Sequence, residues 1–158
     1  MAEMTEKVKV DRTVIERAVY EYSDMVVRVS MLAVKNKFDA EDIMQSVFLQ
    51  LIKQREFDSK AHLKAWLIRV AINMSKDFLK SAYKKKTVPF EESDHSFEEK
   101  DNDLFNAVGQ LGSEDQAIIF MFYYEGYSAK EIGYFLGKRE SAIHTRLSRA
   151  RKQLKNIL

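Results

Sequence analysis

The chain has 158 residues, of which 46% are hydrophobic and 32% charged, and this balance predicts a folded protein rather than a disordered one. Its net charge of +2 conceals an uneven distribution of charge, which is described below with the elements that carry it. Cysteine is absent, which excludes disulfides, thiolate metal sites and cysteine nucleophiles, and the three histidines lie far apart in sequence. No apolar run is long enough to cross a bilayer and the N-terminal residues show no signal-peptide core, so we expect a cytoplasmic protein without membrane insertion.

Residues 10–83 are predicted to form one bundle of three helices, because each helix carries an apolar face that only the others can cover. In the first helix, apolar residues recur at three- and four-residue steps from Ile15 to Val29. The second helix is expected to begin near Asp39, as the capping residue, with a buried stripe of Ile43, Val47 and Leu51. A loop at 57–59 precedes a third helix over 60–83, whose expected core stripe is Leu63, Trp66, Leu67, Val70, Met74 and Phe78.

Residues 84–103 interrupt this pattern. They begin with three consecutive lysines and hold the only proline of the chain (Pro89) and a strongly acidic run, with almost no apolar periodicity. This composition predicts a flexible linker between two domains, and a solvated acidic loop without a partner is the alternative.

Residues 104–158 are predicted to form a second helical bundle. Two capping boxes are expected, one from Ser113 to Gln116 and one from Ser128 to Glu131, and Gly126 and Gly137 end the helices that follow them. The last helix runs from about Arg139 and turns Ile143, Leu147, Ala150 and Leu154 inward. The fold class is therefore all-α, with two small helical bundles joined by a flexible linker.

A capped short helix, a glycine turn and a longer basic helix are typical of a helix-turn-helix, in which the second helix reads the major groove of DNA. Seven basic residues against one acid lie between Lys138 and Lys155. The expected outward residues can reach base edges, and they are His144, Thr145, Ser148, Arg149 and Lys152. Arg146, Arg151 and Lys155 flank them and suit phosphate contacts. The alternative is a solvated basic face on an ordinary helical hairpin.

Two further exposed surfaces are predicted in the first bundle. Opposite the apolar stripe of the third helix lie Arg69, Asn73, Lys76 and Lys80, which form a ridge that could follow a nucleic-acid backbone. Asp42, Gln45 and Leu49 share a stripe of the second helix that could dock on a partner helix. Each surface alone is also compatible with a solvated helix face.

Three segments in this order resemble the sigma-70 family of RNA polymerase sigma factors, in its extracytoplasmic-function group. DAEDIMQSVFLQLI (39–52) is similar to the helix with which these proteins bind the largest polymerase subunit, and KAWLIRVAINMSKDFL (64–79) is similar to their promoter-melting helix. Residues 127–154, from YSAKEIGYFLG to IHTRLSRARKQL, resemble their C-terminal helix-turn-helix. The chain departs from the family at Ser141-Ala142, where glycine-threonine is common, and at His144, where arginine is frequent.

The resemblance implies a function and a role for each matched residue. The protein would direct core RNA polymerase to promoter DNA and help to open it, and an anti-sigma factor becomes plausible as a further partner. Residues 10–83 would bind polymerase through Asp42, Gln45 and Leu49. The same domain would contact the downstream (−10) element through Lys64, Arg69, Asn73, Lys76 and Lys80. Residues 104–158 would contact the upstream (−35) element through His144, Thr145, Arg146, Ser148, Arg149, Arg151 and Lys152.

Other functions remain open from the sequence. A stand-alone helix-turn-helix regulator would share the second bundle but need no polymerase-facing stripe, and a structural adaptor would use the basic helix to bind an acidic protein. An enzyme has little support, because the chain has no cysteine, no clustered histidines and no phosphate-cradling glycine loop. We therefore expect no catalytic residue, no metal and no cofactor.

Overall fold

The computed structural model describes residues 6–84 and 99–158, and the chain divides into two compact units between Phe78 and Leu79. The first unit contains strand β1 (Val8–Lys9), helix α1 (Arg12–Val34), helix α2 (Lys37–Ile52) and strand β2 (Glu56–Phe57). It also contains most of helix α3 (Lys60–Lys84), which continues past the boundary at Phe78. The second contains α4 (Glu99–Gly109), α5 (Ser113–Ile119), a π-helical segment (Phe120–Tyr124), α6 (Ala129–Leu136) and α7 (Glu140–Ile157). The all-α fold class is confirmed, with a single two-residue strand pair as the exception among the described residues.

Short polar side chains begin each helix of the first unit. Asp11 accepts a hydrogen bond from the Val14 backbone N–H at 2.9 Å, and Asn36 accepts one from the Asp39 backbone N–H at 3.0 Å. The buried Ser59 caps α3 in the same way, with its Oγ 3.1 Å from the His62 backbone nitrogen. The prediction that Asp39 caps the second helix is therefore wrong, because Asn36 occupies that position and α2 begins at Lys37.

Apolar faces of α1, α2 and α3 form the core of the first unit. The predicted stripe of α2 is confirmed, since Ile43, Val47 and Leu51 are all buried. On α3 the buried face is rotated from the predicted one: Leu63 and Leu67 are buried, but Trp66, Val70, Met74 and Phe78 are only partly buried. The other buried residues of α3 are Ala61, Ala65, Ile68, Ala71, Ile72 and Ser75. Three of these are alanines, whose small side chains let neighbouring helices approach closely.

A small antiparallel pair joins the N-terminal residues to the turn before α3. Val8 pairs with Phe57 and Lys9 pairs with Glu56, and the Phe57 side chain is buried. The predicted loop at 57–59 is therefore wrong at Phe57, which lies in a strand.

Helix α4 begins at Glu99, so the last residues of the predicted linker are helical, whereas residues 85–98 lie outside the described residues. The capping box predicted from Ser113 is absent. Gly112 is the capping residue of α5 and makes no side-chain bond, and Gln116 is buried. Its amide nitrogen donates instead to the carbonyl oxygens of Gly109 at 2.8 Å and Leu111 at 3.3 Å.

The helix-turn-helix is built as its local sequence predicts. Ser128 and Glu131 form both bonds of a capping box, and Gly137 ends α6 with φ of 67°. Gly133 lies where α6 touches the turn: an added Cβ would stand 2.5 Å from the Lys138 carbonyl oxygen, whereas the Lys138 backbone N–H donates to the Gly133 oxygen at 2.8 Å. Ile143, Leu147 and Ala150 bury one face of α7 against the unit. In the described part of the chain, no helix is long and apolar enough to cross a membrane.

Candidate nucleic-acid and partner interfaces

One exposed stripe runs along the whole of α2. Asp42, Gln45 and Leu49, predicted as a docking surface, are all exposed. Phe38 and Ile52 extend the stripe at both ends, since a rotation of about 100° per residue places all five within an arc of about 80°. We call these five residues the α2 stripe. Its apolar members are strongly exposed, at 81% for Phe38, 61% for Leu49 and 55% for Ile52.

Phe38 and Ile52 were missed by the sequence reasoning. The signal was present, because both continue the spacing of Asp42, Gln45 and Leu49 at three- and four-residue steps. Three large apolar side chains in one exposed row are unusual on a surface that faces only water. The stripe can therefore bury apolar area against a partner.

Acidic groups gather at the start of α2. Burial raises the pKa of the Asp39 carboxyl, and the neighbouring Asp42 carboxylate raises it further. A cation brought against this end of the helix would relieve the repulsion between these two carboxylates. The α2 stripe thus combines apolar side chains with an end that favours a basic partner.

A polar ridge lies along the exposed side of α3. Arg69, Asn73 and Lys80 are exposed and Lys76 is partly buried, and the rotation of the helix places the four within an arc of about 60°. Burial lowers the pKa of the Lys76 ammonium group. The sequence prediction of a single ridge with cations and one amide agrees with this geometry.

Trp66 lies on the same face of α3 as this ridge. It stands seven residues before Asn73, within about 20° of it around the helix, and is partly exposed. The buried Phe57 ring supports it in an edge-on contact with ring centroids 5.5 Å apart. Since the indole shares a helix face with the amide of Asn73 and the cations, we call Trp66, Arg69, Asn73, Lys76 and Lys80 the α3 ridge.

Lys64 does not share the α3 ridge. It lies nine residues before Asn73, which places it on the opposite side of the helix. Its ammonium group stands over the Tyr22 ring of α1, 5.6 Å from the centroid. Nearby, the Lys60 ammonium pairs with the Glu21 carboxylate at 3.3 Å.

The outward face of α7 carries the residues that are predicted to contact base edges of DNA. His144, Thr145, Ser148, Arg149 and Lys152 are all exposed, and we call them the α7 ridge. Some have partners within the helix: the Thr145 hydroxyl donates to the Ser141 carbonyl at 3.1 Å, and His144 Nε2 stands 3.5 Å from the Glu140 carboxylate. The sequence places these groups outward because Ile143, Leu147 and Ala150 occupy the opposite side.

Arg146, which the sequence reasoning placed among the phosphate contacts, turns toward α5. Its guanidinium pairs with the Asp115 carboxylate at 2.8 Å and with the Glu114 carboxylate at 3.0 Å. Glu114 also pairs with Lys138 at 3.6 Å. In this conformation two basic residues of the helix-turn-helix are neutralised by α5, and the geometry favours a structural role for Arg146 over a phosphate contact.

Arg151 occupies the other flank of α7. Its Nε donates to the Tyr123 hydroxyl, and its guanidinium stands over the rings of Phe122 and Tyr123. Tyr123 is 53% exposed and was not among the residues that the sequence reasoning selected for DNA contact.

Comparison with known proteins places both units in one family. Residues 18–85 match Sigma-70 region 2, and residues 101–154 match Sigma-70 region 4. The chain belongs to the sigma-70 family of RNA polymerase sigma factors, in its extracytoplasmic-function group. The predicted family and the predicted sigma-factor function are thereby confirmed at the level of the family, and the stand-alone regulator is not favoured. Sigma factors are not enzymes.

Several curated relatives match most of the chain. The chain is 29% identical over 155 residues to the ECF RNA polymerase sigma factor SigL of Mycobacterium tuberculosis, covering 90% of this chain and 88% of SigL. It is 26% identical over 157 residues to the ECF RNA polymerase sigma factor SigE of Mycolicibacterium smegmatis; this covers 90% of the chain but spans only 61% of SigE. Among solved structures, the fold is similar to the sigma factor RpoE of Bartonella quintana, solved with the anti-sigma factor NepR, with a TM-score of 0.60 and 17% identity over 92% of this chain and 96% of RpoE.

Proposed function

We propose that this sigma factor binds core RNA polymerase through the α2 stripe and contacts promoter DNA through the α3 and α7 ridges. The observation that carries the proposal is the presence of two exposed polar ridges in two separate units, one matching region 2 and one matching region 4. The proposed domains are residues 10–83 and 104–158, with residues 84–103 between them.

The α2 stripe supplies the polymerase contact. Phe38, Leu49 and Ile52 would bury their exposed side chains against an apolar row of the partner, and removal of this area from water is the main source of affinity. Asp42 and Asp39 favour a basic surface on that partner.

The α3 ridge acts on the downstream (−10) element. An unstacked base costs a few kcal/mol to extrude from a duplex. Stacking on the Trp66 indole and hydrogen bonding to the Asn73 amide offset part of this cost, while Arg69 and Lys80 hold the strand backbone. Lys64 lies on the far side of α3, so its contact with the same strand has less support than that of the other four residues.

The α7 ridge reads the upstream (−35) element. His144, Thr145, Ser148 and Arg149 present short polar groups and one guanidinium to the major groove, and Lys152 lies beside them for phosphate contact. Because each unit binds DNA weakly alone, attachment of both to one polymerase makes the second contact effectively intramolecular.

The protein acts without chemistry of its own. The polymerase forms the phosphodiester bonds, and the sigma factor is a non-enzymatic, cytoplasmic subunit. An anti-sigma factor is a proposed further partner, supported by RpoE of Bartonella quintana, whose structure was solved in complex with one.

Run-off transcription with purified core polymerase on a promoter library tests the proposal. Addition of the protein should produce transcripts from a subset of promoters that share two short elements, and core polymerase alone should produce none. A stand-alone regulator would bind DNA without associating with core polymerase, and this outcome would overturn the proposal.

A further inference from the structure

The π-helical segment Phe120–Tyr124 brings two consecutive aromatic residues against α7. The backbone N–H of Glu125 donates to the Phe120 carbonyl five residues earlier, at 3.1 Å, which defines the widened turn. Such turns are rare, and they often occur at functional sites. Here Phe122 and Tyr123 pack edge to face, with ring centroids 4.9 Å apart, and both contact Arg151.

Arg151 is held by this aromatic pair. Its Nε donates to the Tyr123 hydroxyl at 2.5 Å, and its guanidinium carbon stands 5.7 Å from the Tyr123 ring centroid and 6.0 Å from that of Phe122. The residue is exposed, and within the described residues it makes no other polar contact and no ion pair. Its two terminal amino groups therefore remain available for a ligand.

We propose that Tyr123 and Arg151 together form a binding site for one phosphate of the DNA backbone beside the α7 ridge. The inference rests on the proposed function of α7 and adds to it a contact from the π-helical segment. The guanidinium supplies two parallel N–H donors, which match two phosphate oxygens. The Tyr123 oxygen accepts from Arg151, so its own hydrogen is left to donate to the same phosphate.

The surroundings favour a phosphate over other ligands. Four cations and one hydroxyl line a shallow recess of about 320 Å³ along the exposed side of α7, namely Ser148, Arg149, Arg151, Lys152 and Lys155. On the other flank of the helix, the Arg146 guanidinium is already paired with Asp115 and Glu114. Of these two flanking arginines, only Arg151 has terminal amino groups without a carboxylate partner, and it is the one that an aromatic side chain orients.

Tyr123 orients the Arg151 side chain before DNA binds, and we therefore expect Tyr123 to affect promoter affinity. A flexible arginine loses rotamer freedom when it binds, and a contact that restrains it beforehand reduces this loss. Tyr123→Phe keeps the ring under the guanidinium but removes the hydroxyl, so promoter affinity should fall about three- to tenfold. Arg151→Gln removes the charge and should also lower the slope of log affinity against log salt by about 1.

The experiment uses polymerase holoenzyme reconstituted with the full chain. Promoter binding is measured for wild type, Tyr123→Phe, Arg151→Gln and the double variant, on DNA in which single phosphates around the upstream element are replaced in turn by neutral methylphosphonates. Tyr20→Phe is the matched control, because it removes a hydroxyl from a tyrosine that is 89% exposed in the first unit. Parallel titrations replace chloride with inorganic phosphate at constant ionic strength.

The phosphate-binding site predicts one methylphosphonate position that weakens DNA binding by the wild type but has no added effect in Tyr123→Phe or Arg151→Gln. The double variant should bind DNA no more weakly than Arg151→Gln alone. Tyr20→Phe should bind like wild type, and free phosphate should not compete. The inference is overturned if Tyr123→Phe binds like wild type, if all variants keep the wild-type interference pattern, or if inorganic phosphate competes as it would for a free-anion site. Failure of the wild-type holoenzyme to bind any promoter would instead overturn the proposed function.

Discussion

Replacement of Gly133 by alanine is the sharpest test of how the helix-turn-helix is held together. The added Cβ would lie 2.5 Å from the Lys138 carbonyl oxygen, whereas relaxed contacts between carbon and oxygen are about 3.3 Å or longer. The backbone at the turn must therefore move by most of an ångström, against the hydrogen bond from Lys138 N–H to the Gly133 oxygen at 2.8 Å. Overpacking of this kind costs about 1–3 kcal/mol.

A loss of about 2 kcal/mol lowers the melting temperature of a unit of this size by about 8–16 °C. Thermal unfolding of the full chain should show this shift in the transition of the second unit, with the first unit unchanged. Lys130→Ala is the control, since it introduces the same side chain at an exposed position of the same helix and should change stability by no more than about 0.5 kcal/mol. If Gly133→Ala melts like wild type, the close approach between α6 and the turn does not constrain this fold.

Four further variants separate the proposed interfaces. Asn73→Ala should reduce open-complex formation at least tenfold, measured by permanganate reactivity of the melted strand, with core-polymerase affinity retained; equal loss of both would contradict its assignment. Leu49→Asp should weaken core-polymerase binding at least tenfold in a fluorescence titration without changing the melting temperature, because the side chain is exposed; unchanged affinity would remove the α2 stripe from the interface. Arg149→Ala should relax the preference for the upstream element in a promoter-library selection. Arg146→Ala should keep this preference and lower the free energy of unfolding by about 1 kcal/mol or less, because its ion pairs are partly exposed. The reverse pattern would show that Arg146 contacts DNA.

The helix-turn-helix could be predicted from sequence because its signals are local. Ser128 and Glu131 satisfy each other's backbone groups within one turn, and Gly137 takes up a left-handed conformation that other residues adopt only at a cost. Neither signal depends on what the rest of the chain does. The same pattern failed at Ser113, because Gln116 finds better partners in the carbonyl oxygens of Gly109 and Leu111 once the helix is packed.

The face of α3 was misjudged because two apolar rows follow helical spacing at once. Large residues, among them Trp66 and Met74, suggested the buried side by their size, yet Ala65, Ala71 and Ile72 fill it. What decides between the rows is the partner surface, including Phe57, which lies in a strand pair too short to leave a sequence pattern. Periodicity fixes that a helix is amphipathic, and tertiary packing fixes which row faces inward.

The basic charge around α7 can be predicted from the sequence, but the partners of its charged residues cannot. Seven basic residues between Lys138 and Lys155 suggest a broad DNA-binding surface. Two of them, Lys138 and Arg146, are paired with carboxylates of α5 that lie more than twenty residues earlier, and this pairing cannot be derived from spacing. Arg151 is instead oriented by an aromatic residue. Paired charges release few counterions when DNA binds, so fewer cations contribute to DNA binding than the sequence of this region suggests. The residues that contact bases are therefore different from those that hold the helix in place.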